Sequence, residues 1–130
     1  MTAAKRVLFI ATQAPDDVTR RTLEIRGFAP TFADDWQQAW SRLSEAEFSL
    51  VIADLGRDTE AISFIRRLRE TETTKAMPVL ALGEWGTGAP TLALSQGADA
   101  YERTPIQAER LATSIERLLT ERAMAASHTE

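Results

Sequence analysis

Three short runs along the chain are apolar without interruption, and between them apolar residues recur every three or four positions. The runs are Val7-Leu8-Phe9-Ile10-Ala11, Leu50-Val51-Ile52-Ala53 and Val79-Leu80-Ala81-Leu82. A strand with no polar position is covered on both faces, which points to a parallel sheet flanked by helices. The first helix is predicted to start near Pro15-Asp16-Asp17, where an acidic side chain can accept from free backbone N–H groups. Val18, Thr22 and Ile25 fall on one of its faces, and Gly27 can end it in the left-handed conformation. Phe28 to Ala33 is a second strand, and Pro30 within it lacks the N–H that an inner strand would need, so it belongs at a sheet edge.

The next helix opens at Asp34-Asp35, with Trp36, Ala39, Trp40 and Leu43 at the spacing of a buried stripe. A third helix is predicted over Thr59 to Arg69, with Ala61, Ile62, Ile65 and Leu68 inward and Arg66, Arg67 and Arg69 mostly toward water. Gly86, Gly88 and Pro90 oppose helix until Thr91-Leu92-Ala93-Leu94, a short helix ended by Gly97. Ala100-Tyr101-Glu102 forms a fifth strand before Pro105. The last helix, Gln107 to Glu121, buries Leu111, Ile115, Leu118 and Leu119. One domain over residues 1–122, followed by a flexible tail over 123–130, is the expected organisation.

Composition narrows the chemistry. A chain of 130 residues suits one domain, and with no cysteine it has no thiolate nucleophile, zinc-thiolate site or iron–sulfur cluster. Fifteen basic against nineteen acidic residues leave a net charge of −4, which argues against nucleic acid or an anionic membrane as the main partner. The single histidine, His128, lies in the tail, so histidine-based acid–base catalysis and histidine metal clusters are excluded. Neither a signal peptide nor a membrane span is read from the sequence, so a cytoplasmic location is expected.

In an open parallel sheet, ligands bind outside the carboxyl ends of the strands. The positions to inspect are therefore Ala11-Thr12, Asp54, Leu82-Gly83 and Glu102-Arg103-Thr104. Asp54 alone is an acid placed directly after a buried apolar run, where function, pairing or solvent access must justify it. The glycine-rich Gly83-Glu84-Trp85-Gly86-Thr87-Gly88 lacks the Lys-Ser/Thr ending of a phosphate-binding P-loop. No glycine-rich cradle follows the first strand, which counts against a nucleotide or flavin site.

Taken in order, Leu50 to Leu55, Met77 to Leu82 and Gly97-Ala98-Asp99-Ala100-Tyr101 resemble a response regulator receiver domain over about residues 5 to 120. The resemblance implies a flavodoxin-like (βα)5 fold: a three-layer α/β/α sandwich on a five-stranded parallel sheet of order 2-1-3-4-5. It also implies that Asp54 is the position that takes a phosphoryl group from a histidine kinase. Such transfer spreads negative charge that a divalent cation and a fixed cation must offset. The family holds magnesium with an acidic pair after the first strand, where this chain has Ala11-Thr12. The family lysine corresponds to Thr104, and the switch hydroxyl to Gly83. The loop from Leu55 to Thr59 is also shorter than usual and lacks the Met-Pro turn.

Tyr101 matches the aromatic that receivers rotate to report phosphorylation, and Gly83 is expected to weaken that coupling and free the nearby backbone. Trp85, if exposed, is a partner anchor, and if buried it fills the space left by Gly83. The expected function is therefore that of a pseudo-receiver: a non-enzymatic signalling domain that binds a protein through Tyr101 and Trp85, with weak or absent magnesium binding and no other cofactor. The partner expected is a histidine kinase, an effector domain or a second copy of the chain. Two alternatives stay open: a phosphoacceptor using Asp54 with rearranged metal ligands, and a small flavodoxin-like cofactor-binding protein.

Overall fold

Side-chain alternation within the apolar runs decides how the layers form. The structure is a computed structural model that describes residues 4–11, 14–55, 60–83 and 89–127. Its elements, in order, are β1 (Lys5–Ile10), α1 (Asp17–Ile25), β2 (Phe28–Ala33), α2 (Trp36–Glu45), β3 (Leu50–Asp54), α3 (Glu60–Glu70), β4 (Val79–Gly83), α4 (Ala89–Ser95), β5 (Ala100–Arg103) and α5 (Ala108–Ser127). All strand pairs are parallel, and the sheet order is β2-β1-β3-β4-β5. Pro30 does lie in an edge strand.

Successive strand residues point to opposite faces, so each apolar run feeds two cores. Leu8, Ile10, Val51, Ala53, Val79 and Ala81 join Phe64, Ile65 and Leu68 of α3, with Trp36 and Trp40 of α2 packed against them. Val7, Phe9, Leu50, Ile52, Leu80 and Leu82 join Leu23 of α1 and Leu111, Ile115 and Leu118 of α5. The flavodoxin-like sandwich follows directly from runs that are apolar on both faces. Asp16 and Asp35 cap α1 and α2, accepting from the backbone N–H groups of Thr19 at 2.7 Å and Gln38 at 2.6 Å. Gly27 and Gly97 both take positive φ, at 94° and 121°, ending α1 and α4 as expected.

Three expectations change. In α1 the buried residue is Leu23, whereas Val18 and Ile25 are 68% and 84% exposed. The inner stripe is Thr19, Thr22, Leu23 and Arg26, and Arg26 reaches across to Glu109 (2.6 Å) and to Glu116 of α5. One leucine and the arginine stem suffice to seat so short a helix. Secondly, α5 remains helical through Ser127, beyond the helix end expected at Glu121. Ala123-Met124-Ala125-Ala126 contains strong helix formers and no breaker.

Thirdly, Arg69 is not solvated. Its side chain is only 21% exposed and is engaged on every side. Nε donates to the Gly97 carbonyl at 2.9 Å, Nη1 to the Met77 and Lys75 carbonyls at 2.6 and 3.1 Å, and Nη2 to Asp99 at 2.9 Å. Asp99 also accepts from the Val79 N–H at 2.8 Å and from Arg122 at 3.0 Å. Burial pushes the Arg69 guanidinium below its ordinary value, and the Asp99 carboxylate opposes that shift. A Cβ on Gly97 would lie 2.6 Å from Arg69 Cγ, so that glycine supplies both the turn and the room for the arginine stem.

Candidate functional site

The carboxyl ends of the strands form the opposite rim. β3 ends on half-buried Asp54, which is paired in register with Leu82 of β4. Leu55 N–H then donates to the Leu82 carbonyl at 2.7 Å, holding the start of the following loop to the sheet. Beside β3, β1 leads into Ala11, which is buried and bonded through its N–H to the Ala33 carbonyl at 3.2 Å. On the far side, Thr104 N–H donates to the Gly83 carbonyl at 2.9 Å, and the Thr104–Pro105 peptide is cis.

Strand alternation sorts these positions. Asp54 continues the parity of Leu50 and Ile52, and Ala11 that of Val7 and Phe9, so both belong to the α1/α5 side of the sheet. Thr104 follows the parity of Ala100 on that same side. The sheet therefore brings together the three positions singled out beside Asp54's own rim: a carboxylate, a methyl group and a hydroxyl-bearing side chain. Arg103 instead follows Tyr101 toward the α3/α4 side. Thr12, Glu84 and Trp85 lie outside the described residues.

Nearby acids already have other work. Asp16 caps α1, and the Thr19 N–H lowers its pKa below the ordinary 3.8. Asp17 pairs with Arg20 at 3.1 Å. Glu102, at the end of β5, turns to α5 and accepts from Arg110 at 3.0 Å and from Ser114. Among the described residues, no group of three or more His, Cys, Asp or Glu side chains is placed to hold a metal ion. Among the described residues, surface hollows open elsewhere. One of about 1030 Å³ lies between α1 and α5 beside Arg26, Phe28 and Leu119, and one of about 590 Å³ lies between α2 and α3 beside Trp40, Phe64 and Arg67.

Tyr101 is the residue whose placement was least foreseeable. Its ring is half-buried against the α3/α4 core, and the phenol rests over Gly83. A Cβ on Gly83 would collide with the Tyr101 hydroxyl and lie 3.2 Å from Cζ. The space beside Gly83 is thus taken by the tyrosine of the neighbouring strand.

No family model matches the chain. In sequence it is 29% identical over 119 residues to the phosphate regulon transcriptional regulatory protein PhoB of Escherichia coli, a match covering 89% of this chain and 52% of PhoB. It spans about half the length of the curated relatives it matches. In structure it resembles a response regulator from Thermotoga maritima, with TM-score 0.79 and 20% identity over 90% of this chain and 98% of that one. It likewise resembles the chemotaxis response regulator CheY4 of Vibrio cholerae, with TM-score 0.78 and 20% identity over 89% and 99% of the two chains.

The chain has the receiver fold of response regulators. In response regulator receivers magnesium sits beside an acceptor aspartate, and a hard divalent cation needs several oxygen ligands. The described residues do not fit that demand, because Ala11 offers a methyl group where an acid would be needed and Asp16 is committed to its helix cap. No described helix is long and apolar enough to cross a membrane.

Proposed function

We propose that this chain is an atypical receiver domain that signals by binding a protein partner, independently of phosphorylation. The observation that carries the reading is the composition of the rim around Asp54, where Ala11, Gly83 and Thr104 stand at the metal, hydroxyl and lysine positions. A phosphoryl group placed on Asp54 would add negative charge with no fixed cation at Thr104 to offset it. Asp54 remains the residue at which any phosphoryl transfer would occur.

The docking side proposed is that of α4, β5 and α5. Leu92 and Leu94 of α4 are about half exposed, at 48% and 47%, and β5, which carries Tyr101, is the edge strand that α4 packs on. Exposed Arg103 of β5 and Glu109, Arg110 and Arg117 of α5 give this side charges of both signs, which suit the periphery of a protein interface. Trp85, in the loop before α4, is proposed as a further contact. The partner is a kinase, an effector domain or a second copy, and the setting is two-component signalling in the cytoplasm, without catalysis by this domain.

Acetyl phosphate with magnesium tests the proposal. Intact-mass spectrometry of the full chain should show no phosphorylated species, and Asp54→Asn should bind partner as the wild type does. A stoichiometric phosphoryl adduct that disappears in Asp54→Asn would establish the phosphoacceptor reading instead.

A further inference from the structure

Gly83 is not required by its backbone. It ends β4 in register with Arg103, and positive φ among the described glycines is confined to Gly27 and Gly97. Any residue can adopt extended backbone, so the need for glycine at this buried position lies in what the missing side chain would displace. That is the Tyr101 phenol. Ala81, paired with Tyr101 in register, and Gly83 share one face of β4, so together they form a small-residue floor beneath the ring.

We infer that Tyr101 is a fixed plug in this receiver, seated over Gly83, and that the pair presets the α4–β5–α5 face in one conformation whatever the state of Asp54. Withdrawing the ring would leave a void against Gly83 and Ala81 that nothing in β4 is large enough to fill, and close-packed interiors resist such voids. A β-carbon at position 83 would act in the opposite sense and expel the phenol. The plug's consequence for docking deepens, and rests on, the phosphorylation-independent role proposed above.

The geometry specifies a selective rescue. The Tyr101 hydroxyl falls in the space an alanine methyl would need, whereas Cζ at 3.2 Å requires only a small adjustment and Cε2 at 3.6 Å is an ordinary contact. Gly83→Ala should therefore lower the folding equilibrium constant by about tenfold or more with Tyr101 present, and by much less with Tyr101→Phe. Equal losses from Gly83→Ala in both backgrounds would overturn the plug. The chain has one tyrosine, so selective isotope labelling gives a single set of ring resonances by NMR. In the wild type these should be shifted from free-tyrosine values, and should move toward them in Gly83→Ala. Adding beryllofluoride and magnesium to the wild type separates the two claims. If Asp54 responds while the ring does not, phosphorylation independence at the acceptor fails and the plug stands. A ring that is solvent-like or exchanging between two environments in the untreated wild type contradicts the plug, whatever Asp54 does.

Discussion

The two rims of the sheet carry polar residues of similar kinds and use them in opposite ways. At the amino-terminal rim Arg69, Asp99 and Arg122 form a linked cluster whose hydrogen bonds tie α3, α5, the turn after α4 and the start of β4 together. At the carboxyl-terminal rim Asp54 stands where charge chemistry is possible, yet Ala11, Gly83 and Thr104 bring it no carboxylate and no cation. Charge therefore has structural use around Asp99 at the first rim, whereas at the second it has such use only away from Asp54, where Glu102 pairs with α5, and the space beside Gly83 is filled by Tyr101. Similarity of fold to response regulators says nothing about which of these uses a particular aspartate serves.

Substitutions should separate the rims by size of effect. Arg69→Leu should be the most damaging, lowering stability by ~2–4 kcal/mol, because it takes the donor from the partly buried Gly97 and Met77 carbonyls and one of two arginines from Asp99. Urea unfolding measures this, and a loss within ~0.5 kcal/mol would make the amino-terminal cluster incidental. Gly97→Ala should come next, at ~1–3 kcal/mol, since it combines positive φ with a collision against the Arg69 stem. Combining it with Arg69→Ala should show non-additivity, as the collision is then relieved and only the backbone strain persists.

At the other rim Asp54→Asn should change stability by less than about 1 kcal/mol. A much larger effect would mean that Asp54 is as structural as Asp99. The smallest effect concerns Asp16. Its native pKa is depressed by the Thr19 N–H below the ordinary 3.8, so its cap contributes above that value and is lost as pH falls through the depressed one. Asp16→Asn should flatten that acidic part of the stability profile. Magnesium should leave the wild-type profile unchanged, because Asp16 stays with its helix. A magnesium-dependent change abolished by Asp16→Asn would show this acid moving to a metal site.

The legible part of the molecule was whatever depends on short-range pattern. Runs such as Leu50 to Ala53 are apolar on both faces and could only be inner strands, and Pro30 put β2 at the edge. The strand-end rule then led to Asp54, Ala11 and Thr104, which the sheet does place on one side. Less legible was anything that depends on partners distant in the chain. Arg69 sits among other arginines of α3 and reads as solvated until the chain returns at Gly97 and Asp99. Val18 and Ile25 are apolar at helical spacing, but α1 has only to bury Leu23, and the rest of its stripe is made by threonine and an arginine stem. The contact of Tyr101 with Gly83 needs the β4–β5 register, and its only trace in the sequence is a glycine at a strand end where no turn demands one.

The most direct test of the central claim is a beryllofluoride and magnesium titration of the full chain, followed by backbone amide chemical shifts at Ala11, Asp54, Gly83 and Thr104. The expected result is no saturable change at these four positions and no difference between wild type and Asp54→Asn. Saturable shifts centred on Asp54, lost in Asp54→Asn, would contradict the account and make this rim a working phosphoryl site.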